Sequence, residues 1–573
     1  MAFRWVLRGK PLLTTHDNPS EYPEIVRNLV TQRGIPEDEI ESFLHPKLRN
    51  LADPFLIPEM QLAVTRILEA IDQNQKVCIY GDYDVDGVSS ITLLAKILRA
   101  YGMSPRTFIP RRGTEGYGLS FAALERCMSE GAKPDLLISV DCGTVSVEEI
   151  AHLRTQGIDV VVVDHHEPSP LGRPDCCALV NPKCGSDFTY LCAAGVVFKL
   201  GHALLKTRST DLELKDLLDV TAVATIADIV PMIGENRILV RHGLKRLASS
   251  NNPGLHALKE IAGIKDLPTS MDVGYRIGPR INAAGRMDFP EDALATLNTN
   301  CKIEAGKLAL KLDDYNRQRQ AFEKHIRDDA MKQLSENFDP SNDPVIVIGS
   351  RTWHHGVVGI VASRLMRQYY KPTFVIAIDE DGIGKGSGRS IDGVSLVEAI
   401  RACEDELLGG GGHAMAAGLS IHEDSLERFR KKFASYVIEN SSEEDRMPRL
   451  VYDAEIDFSE LSLDFLESYE LLQPFGNSNP QPVFVSRLVE LSTPPYKMKN
   501  NHLRLLLRQG HHEKSAVFFG GGERDLPEPP WDIAFTIDRN TFRGRTSLQI
   551  TIQDVMASHQ IAQAQEITAP STK

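Results

Sequence analysis

The segment Gly81-Asp82-Tyr83-Asp84-Val85-Asp86-Gly87 places three carboxylates at alternate positions in one tight turn. Acids this close repel one another unless a cation joins them. A helix start tolerates part of that charge, and a single Asp would serve as an ordinary cap. The turn alone therefore reads either as an acidic helix cap or as part of a metal site. Two further apolar runs end in residues of the same kind. Leu136-Leu137-Ile138-Ser139-Val140 leads to Asp141, and Val160-Val161-Val162-Val163 leads to Asp164-His165-His166. Carboxylates mixed with one or two imidazoles suit Mn²⁺ or Mg²⁺ better than zinc, which favours more nitrogen or sulfur.

The surrounding pattern predicts the scaffold that must gather these groups. Val77-Cys78-Ile79-Tyr80 reads as a buried strand, and Val88, Ile91, Leu94, Leu98 and Tyr101 follow at helical spacing. Strand and helix patterns then alternate, which predicts a doubly wound α/β domain. In a parallel sheet the carboxyl ends of the strands share one edge, so the acids and imidazoles can converge there. A long, mostly polar helical pattern over about 303–336 predicts a strut between domains. Apolar runs near 345–348, 373–378 and 418–421 predict strands of a second α/β domain. Strand-like runs at 483–491, 502–508, 515–519, 532–538 and 546–553 predict a barrel of OB type.

Bulk properties exclude little but bound the rest. With 573 residues, several domains are expected. A formal net charge of −14 argues against a uniformly basic nucleic-acid binder, while leaving room for a basic groove on an acidic body. The nine cysteines form no CxxC pair, and Cys176, Cys177, Cys184 and Cys192 lack zinc-ligand spacing, so reduced thiols are expected. Arg4, Arg8 and Lys10 interrupt the first apolar residues, and no stretch is long enough to span a bilayer. A soluble, cytoplasmic protein without membrane attachment is the expectation.

Asp164-His165-His166 with the upstream Asp-x-Asp resembles the DHH phosphoesterase superfamily. Four later segments narrow the resemblance. They are Arg280-Ile281-Asn282-Ala283-Ala284-Gly285-Arg286, Trp353-His354-His355-Gly356-Val357-Val358-Gly359-Ile360, Gly386-Ser387-Gly388-Arg389-Ser390, and Gly410-Gly411-Gly412-His413-Ala414-Met415-Ala416-Ala417-Gly418. Together they are similar to the RecJ family of the DHH/DHHA1 superfamily, whose members are single-stranded-DNA-specific 5′→3′ exonucleases, and the similarity runs in order along nearly the whole chain.

The resemblance implies six regions: a helical N-terminal preface over 1–60, a DHH catalytic domain over 61–300, and a connecting helix over 301–340. A DHHA1 substrate-binding domain over 341–440, an OB-like nucleic-acid-binding domain over 450–556 and a flexible tail over 557–573 complete it. It further implies two divalent cations, Mn²⁺ or Mg²⁺. Asp82 would bind one and Asp84 the other, with Asp141 bridging and His165 and Asp228 completing the second site. His166 would face the scissile phosphate, Asp164 would orient its neighbours, and Asp86 receives no firm role. Small-molecule pyrophosphatases of the superfamily place a His four residues before the first Asp, where this chain has Cys78, so a weaker first metal site is expected.

For the substrate, the resemblance implies that the loop carrying Arg111 lies near the DNA end. Arg111, Ser387 and Arg389 suit a terminal 5′-phosphate, with Arg280 as a further candidate, because guanidinium forks match phosphate geometry. Gly411 and Gly412 can turn backbone N–H groups toward an anion beside His413. On the barrel, Tyr496, Lys497, Lys499, Arg504, Phe542, Arg543 and Arg545 are candidate contacts to single strands. The implied reaction is phosphodiester hydrolysis releasing 5′-mononucleotides in DNA repair and recombination, with a single-strand-binding protein and a helicase as candidate protein partners. Three alternatives stand beside it: a DHH phosphodiesterase on short RNA or cyclic dinucleotides, a small-molecule phosphatase, and a non-catalytic replication scaffold. The barrel and chain length disfavour the first two, and retention of every ligand carboxylate disfavours the third.

Overall fold

Runs of Val, Ile and Leu buried on both faces build a five-stranded, all-parallel sheet. Its strands are β1 (Val77–Gly81), β2 (Arg106–Phe108), β3 (Leu136–Val140), β4 (Asp159–Val163) and β5 (Ala178–Val180). They lie in the order β2-β1-β3-β4-β5 in the computed structural model, which describes residues 3–9, 22–168, 172–542 and 544–558. In this order the winding reverses between β1 and β3, and open α/β sheets bind ligands in the crevice at that reversal. Asp82 follows β1 and Asp141 follows β3, so both carboxylates stand at the crevice.

Helices cover the sheet and carry it toward the second domain. The main ones for the site are α1 (Val85–Ala100), α2 (Ala193–Thr207), α3 (Leu218–Ala227) and α4 (Gly278–Arg286). A 36-residue helix, α5 (Lys302–Asn337), follows and runs about 54 Å at 1.5 Å per residue. Its first half sends Ala305, Ala309, Leu312 and Tyr315 into the core of the first domain. Its second half sends Ile326, Ala330 and Leu334 into the core of the second. One polar helix with two apolar stripes is thus shared by both domains, which accounts for its weak amphipathic signal in the sequence.

The second α/β domain has strands β6 (Ile346–Ser350), β7 (Thr373–Ile378), β8 (Ile383–Arg389), β9 (Gly409–Gly412) and β10 (Ala416–His422). Their order is β9-β10-β8-β7-β6, with only β6 and β7 parallel. The glycine run Gly409–Gly412 is therefore a strand at the sheet edge, exposed along its whole length, rather than an irregular turn. Helix α6 (Val358–Tyr369) packs on this sheet and on α5.

Residues Leu48–Met447 form one compact unit; the described parts of Met1–Lys47 and Pro448–Lys573 form another. In the second unit a seven-stranded sheet closes on itself through pairing of Phe484–Leu491 with Leu503–Gln509. The long hairpin Trp531–Phe542 and Arg545–Ala557 forms its largest ladder. The N-terminal stretch differs from the helical preface expected over 1–60. Arg4–Leu7 is a strand in parallel register with Arg449–Tyr452, and the helices Glu24–Thr31 and Ile40–Leu44 send Val26, Leu29, Val30, Ile40 and Leu44 into the barrel core. Trp5 Nε1 donates to Asp554 Oδ2 at 2.8 Å, tying that strand to the barrel. The greater part of the tail expected over 557–573, namely 559–573, lies outside the described residues.

Candidate metal centre and phosphate site

The acidic turn divides its three carboxylates between building and binding. Asp84 is the N-cap of α1, where its Oδ1 accepts from the Asp86 and Gly87 amides at 2.9 and 3.1 Å. Asp86 points inward and accepts from the Ala193 and Ala194 amides at 2.7 and 2.9 Å, at the N-terminus of α2. Helix N-termini favour anions, so Asp86 joins α2 to the turn while its own charge is partly offset. Gly87 permits the close fold of the turn, since a Cβ there would stand 2.3 Å from the Asp82 carbonyl oxygen. The Val85 amide donates to Asn282 Oδ1 at 3.1 Å, which pins α4 to the same turn.

Asp141 takes a left-handed backbone, φ 60°, immediately after β3. A non-glycine residue in that region costs of order 1 kcal/mol or more and persists where its surroundings fix it, commonly at functional sites. Ile229, directly after Asp228, shares the feature with φ 59°. Two ligand sets, Asp82 with Asp84 and Asp141, and Asp86 with His165 and Asp228, have atoms within 4.8 Å of one another, and a third group, Asp141 with His165 and His166, overlaps both. His165 Nε2 lies 3.4 Å from Asp141 Oδ1, 3.6 Å from Asp228 Oδ2 and 3.7 Å from Asp86 Oδ2, so the sets adjoin. The structure thus adds Asp86, which the sequence left without a role, to the second set, and groups Asp84 with Asp82. No cysteine enters either set among the described residues.

The electrostatics of this cluster fit a divalent cation. Asp82 is fully buried, and no donor meets hydrogen-bond geometry at either of its carboxylate oxygens. Burial, then the Asp84 charge, push its carboxyl far above the usual range, against weaker help from the Tyr83 and Gly118 amides. Asp141 is pushed up in the same direction by burial and then by Asp86, Asp84, Asp82 and Asp228. Burial and then Asp84 raise Asp86 to about 7, and burial followed by Asp86 and Asp84 raises Asp228 to about 9. Asp228 Oδ2 is likewise buried without a hydrogen bond. Buried, unpaired carboxylate oxygens facing one another are what oxygen-preferring cations neutralise. Cys78, at the position where the pyrophosphatases carry a His, lies in the hydrophobic core with Tyr80, Phe108 and Cys127, turned away from the centre. Three carboxylates would hold a cation in the first set, an oxygen-only donor set of the kind Mn²⁺ and Mg²⁺ take.

The paired imidazoles have opposite characters. Burial and then the His166 charge depress His165 to about 4, so it is neutral and able to ligate. His166 Nδ1 donates to Asp164 Oδ1 at 2.7 Å; despite the burial penalty, that bond and the Asp164 charge raise His166 to about 9. Asp164 is buried and also accepts from the Thr144, His165 and His166 amides. Burial opposes its ionisation, but these bonds and the His166 charge outweigh it and hold the carboxyl below its usual range. His166 is accordingly an imidazolium at neutral pH, with Nε2 2.7 Å from Tyr117 Oη. Asn181 Nδ2 donates to Thr144 Oγ1 and to the His166 carbonyl, holding the loop from behind. Tyr117 and Asn181 escaped the sequence reading because a lone Tyr in a glycine-rich loop and an Asn after a strand carry no pattern.

On the substrate side the structure brings together some of the expected residues and not others. Arg389 donates to Ser387 Oγ and to the Gly388 carbonyl at 3.1 and 2.7 Å. Burial, followed by the Arg112 charge, lowers its pKa. Arg286 is lowered to about 10 by burial and then by Arg112, Arg319 and Arg389. Arg112 lies over the Tyr83 ring at 5.6 Å. Among the described residues none of Arg112, Arg286 and Arg389 has an ion-pair partner, so three cations face one region without a counter-ion. Arg111 is not in this group: its Nε donates to Glu291 at 3.0 Å on the surface. Arg280 is not in it either, being bound to Asp313 at 2.9 Å, where it ties α4 to α5. Their neighbours in the same two motifs, Arg112 and Arg286, are the ones that lie near Arg389. Gly411 and Gly412 lie on the edge strand β9; the His413 amide that follows donates to Ala416 O at 2.8 Å. The His413 charge reaches Glu167, next to the imidazole pair, and contributes to lowering its carboxyl after the Lys183 hydrogen bond. On the barrel Tyr496, Lys497, Lys499, Arg504 and Arg545 are exposed, while the Phe542 side chain and Arg543 lie outside the described residues. Phe519 is exposed too and lies edge-on to His502, with ring centroids 5.1 Å apart.

A parallel sheet with carboxylates and imidazoles at its winding reversal, joined by a strut to a domain with a glycine-rich edge strand, defines a phosphoesterase of DHH type. Family models match accordingly: the DHH family N-terminal domain over residues 76–225, the DHHA1 domain over 342–439 and the RecJ OB domain over 452–554. The chain is 35% identical to the single-stranded-DNA-specific exonuclease RecJ of Bacillus subtilis, over 93% of this chain and 68% of that protein. It is also 35% identical to the Haemophilus influenzae protein of the same name, over 88% of this chain and 92% of the relative. The crystal structure of Thermus thermophilus RecJ in complex with Mn²⁺ superposes with a TM-score of 0.80 at 30% identity, covering 93% of this chain and 76% of that one. The chain belongs to the RecJ family.

Proposed function

We propose that this chain is a divalent-cation-dependent exonuclease that hydrolyses single-stranded DNA from the 5′ end and releases 5′-mononucleotides. The observation that carries the reading is the pair of adjoining ligand sets at the sheet's winding reversal, with unpaired buried oxygens on Asp82 and Asp228. Asp82, Asp84 and Asp141 hold one cation and Asp86, His165 and Asp228 the other, Asp141 and His165 lying where the sets meet. When bound, the two cations acidify the attacking water and offset charge building on the phosphoryl oxygens. His166, kept protonated by Asp164, donates from Nε2 to a phosphoryl oxygen, displacing its contact with Tyr117. Arg112, Arg286 and Arg389, with Ser387, bind the terminal 5′-phosphate, and the outward N–H groups of the Gly409–Gly412 edge with the His413 side chain bind the strand on the side of Glu167. The barrel is a second binding surface for single strands.

No helix among the described residues is long and apolar enough to cross a membrane. A cytoplasmic site of action, a role in repair and recombination, and a single-strand-binding protein or helicase as partner rest on family membership alone. The test is incubation with linear and circular single strands in Mn²⁺ and identification of products. Mononucleotides from the linear strand and an intact circle are expected; rapid cleavage of the circle defeats the reading.

A further inference from the structure

The motif Trp353-His354-His355-Gly356 has no task in the metal centre or among the phosphate ligands, yet it is built with care. Trp353 is buried and its Nε1 donates to Asp329 Oδ2 at 2.8 Å, which fixes the segment to α5. The Gly356 amide donates to His354 Nδ1 at 3.1 Å, fixing that ring. Gly356 itself admits no side chain, because a Cβ would stand 2.8 Å from the Arg286 carbonyl oxygen and 3.0 Å from His354 Cε1. The result is a stack of three rings. Phe322 of α5 lies on His354 with centroids 5.1 Å apart and planes at 24°, and His354 lies on His355 at 4.9 Å and 15°. Phe322 is 38% exposed and His355 is exposed too, so both ends of the stack are open. Burial lowers both imidazoles, with His354 adding to it at His355 and Arg112 at both, against the opposing pull of Asp288.

Two facts say what covers this stack. First, three exposed or half-exposed aromatic rings lying parallel offer a face to another flat ring, and base-on-aromatic stacking is a principal grip on single strands. Second, the stack adjoins the unpaired cations: Arg112 is a charged neighbour of both imidazoles, and Arg286 meets the segment through its Nη1 bond to the Gly356 carbonyl at 3.0 Å. An aromatic face beside a phosphate-sized cluster of arginines matches one nucleotide, base and phosphate together.

We infer that the Phe322–His354–His355 stack is a nucleobase subsite for the terminal nucleotide, the one whose 5′-phosphate the arginines hold. The inference rests on the proposed reading of the arginine cluster. It makes the stack part of what requires a single strand, because a base paired in a duplex cannot lie on His355.

The test measures equilibrium binding of short 5′-phosphorylated strands to the full chain in EDTA, where no strand is cut. One strand carries its terminal base, and its twin carries an abasic residue at that position. Wild type is expected to bind the intact strand about tenfold tighter than the twin. His355→Ala should lose about tenfold on the intact strand and nothing on the twin, and His355→Trp should restore the difference. Phe322→Leu, a milder change, should narrow the same difference and guards against misfolding of the first variant. Equal weakening on both strands, or indifference of wild type to the missing base, overturns the inference. Absence of hydrolysis when Mn²⁺ is added would count against the exonuclease reading and leave this binding pattern to be judged separately.

Discussion

Stripping cations from the centre should make stability fall as pH rises. Asp228 has a folded pKa of about 9 against an ordinary value of 3.8, and Asp86 about 7. A carboxyl raised on folding binds its proton more tightly in the native state, so its contribution is complete below about pH 4 and is lost as pH climbs through the folded value. His166, raised from 6.5 to about 9, adds a loss in the same direction between those values. His165, lowered to about 4, changes stability only between about 4 and 6.5, in the opposite sense. Between pH 6.5 and 9 the trend is therefore uniform. At about 1.4 kcal/mol per unit, Asp228 alone accounts for a loss of about 3 kcal/mol across that window. Cations require the deprotonated ligands, so the stabilisation by Mn²⁺ should grow over the same range. Thermal melts of the full chain in EDTA and in Mn²⁺, at pH 6.5 and 9, measure both effects, and Asp228→Asn should flatten the EDTA curve. A metal-free protein equally stable or more stable at pH 9 would refute the reasoning, because the cluster would then not be a set of mutually repelling acids.

Three further outcomes follow from the same geometry. Asp141→Ala should retain less than about a tenth of wild-type turnover, a loss above roughly 1.4 kcal/mol of transition-state stabilisation, while melting in EDTA no lower than wild type. Arg389→Ala and Arg112→Ala should slow digestion of 5′-phosphorylated strands more than of 5′-hydroxyl strands, whereas Arg111→Ala, which breaks only a surface pair with Glu291, should slow neither by more than about twofold; equal effects on both ends would remove the terminal-phosphate role. Charge reversal at Lys497, Lys499 and Arg504 should weaken binding of long single strands and flatten its salt dependence, with the chemical step unchanged; an unaltered salt slope would take the barrel out of the DNA path.

How much of this was legible depended on whether a residue's role is set locally. Asp82, Asp141 and Asp164 each close an apolar run, and the parallel sheet that gathers them follows from the alternation of strand and helix, so their convergence could be read ahead. Asp86 could not be separated from its neighbours, because its role depends on the Ala193 and Ala194 amides, over a hundred positions away. Arg111 and Arg112 are indistinguishable by type, and only the course of the loop decides which reaches Glu291 and which reaches Tyr83. The same holds for Arg280 and Arg286 on one helix: six positions apart, they fall on different faces, one toward Asp313 and one toward Gly356. The N-terminal strand Arg4–Leu7 was hidden for another reason, since four residues are too few to show a period and their partner, Arg449–Tyr452, lies more than four hundred positions along the chain. In the second α/β domain, four glycines carry no strand pattern, yet pairing with Ala417–Ser420 makes them a strand.

The central claim is that the two adjoining ligand sets would hold two divalent cations, with Asp141 where the sets meet. Electron paramagnetic resonance of the full chain titrated with Mn²⁺ tests it directly, since two ions sharing a carboxylate give a spin-coupled spectrum. The account predicts two Mn²⁺ per chain with coupling in wild type, and loss of that coupling in Asp141→Ala. A single ion at saturation, or two uncoupled ions in wild type, would contradict it.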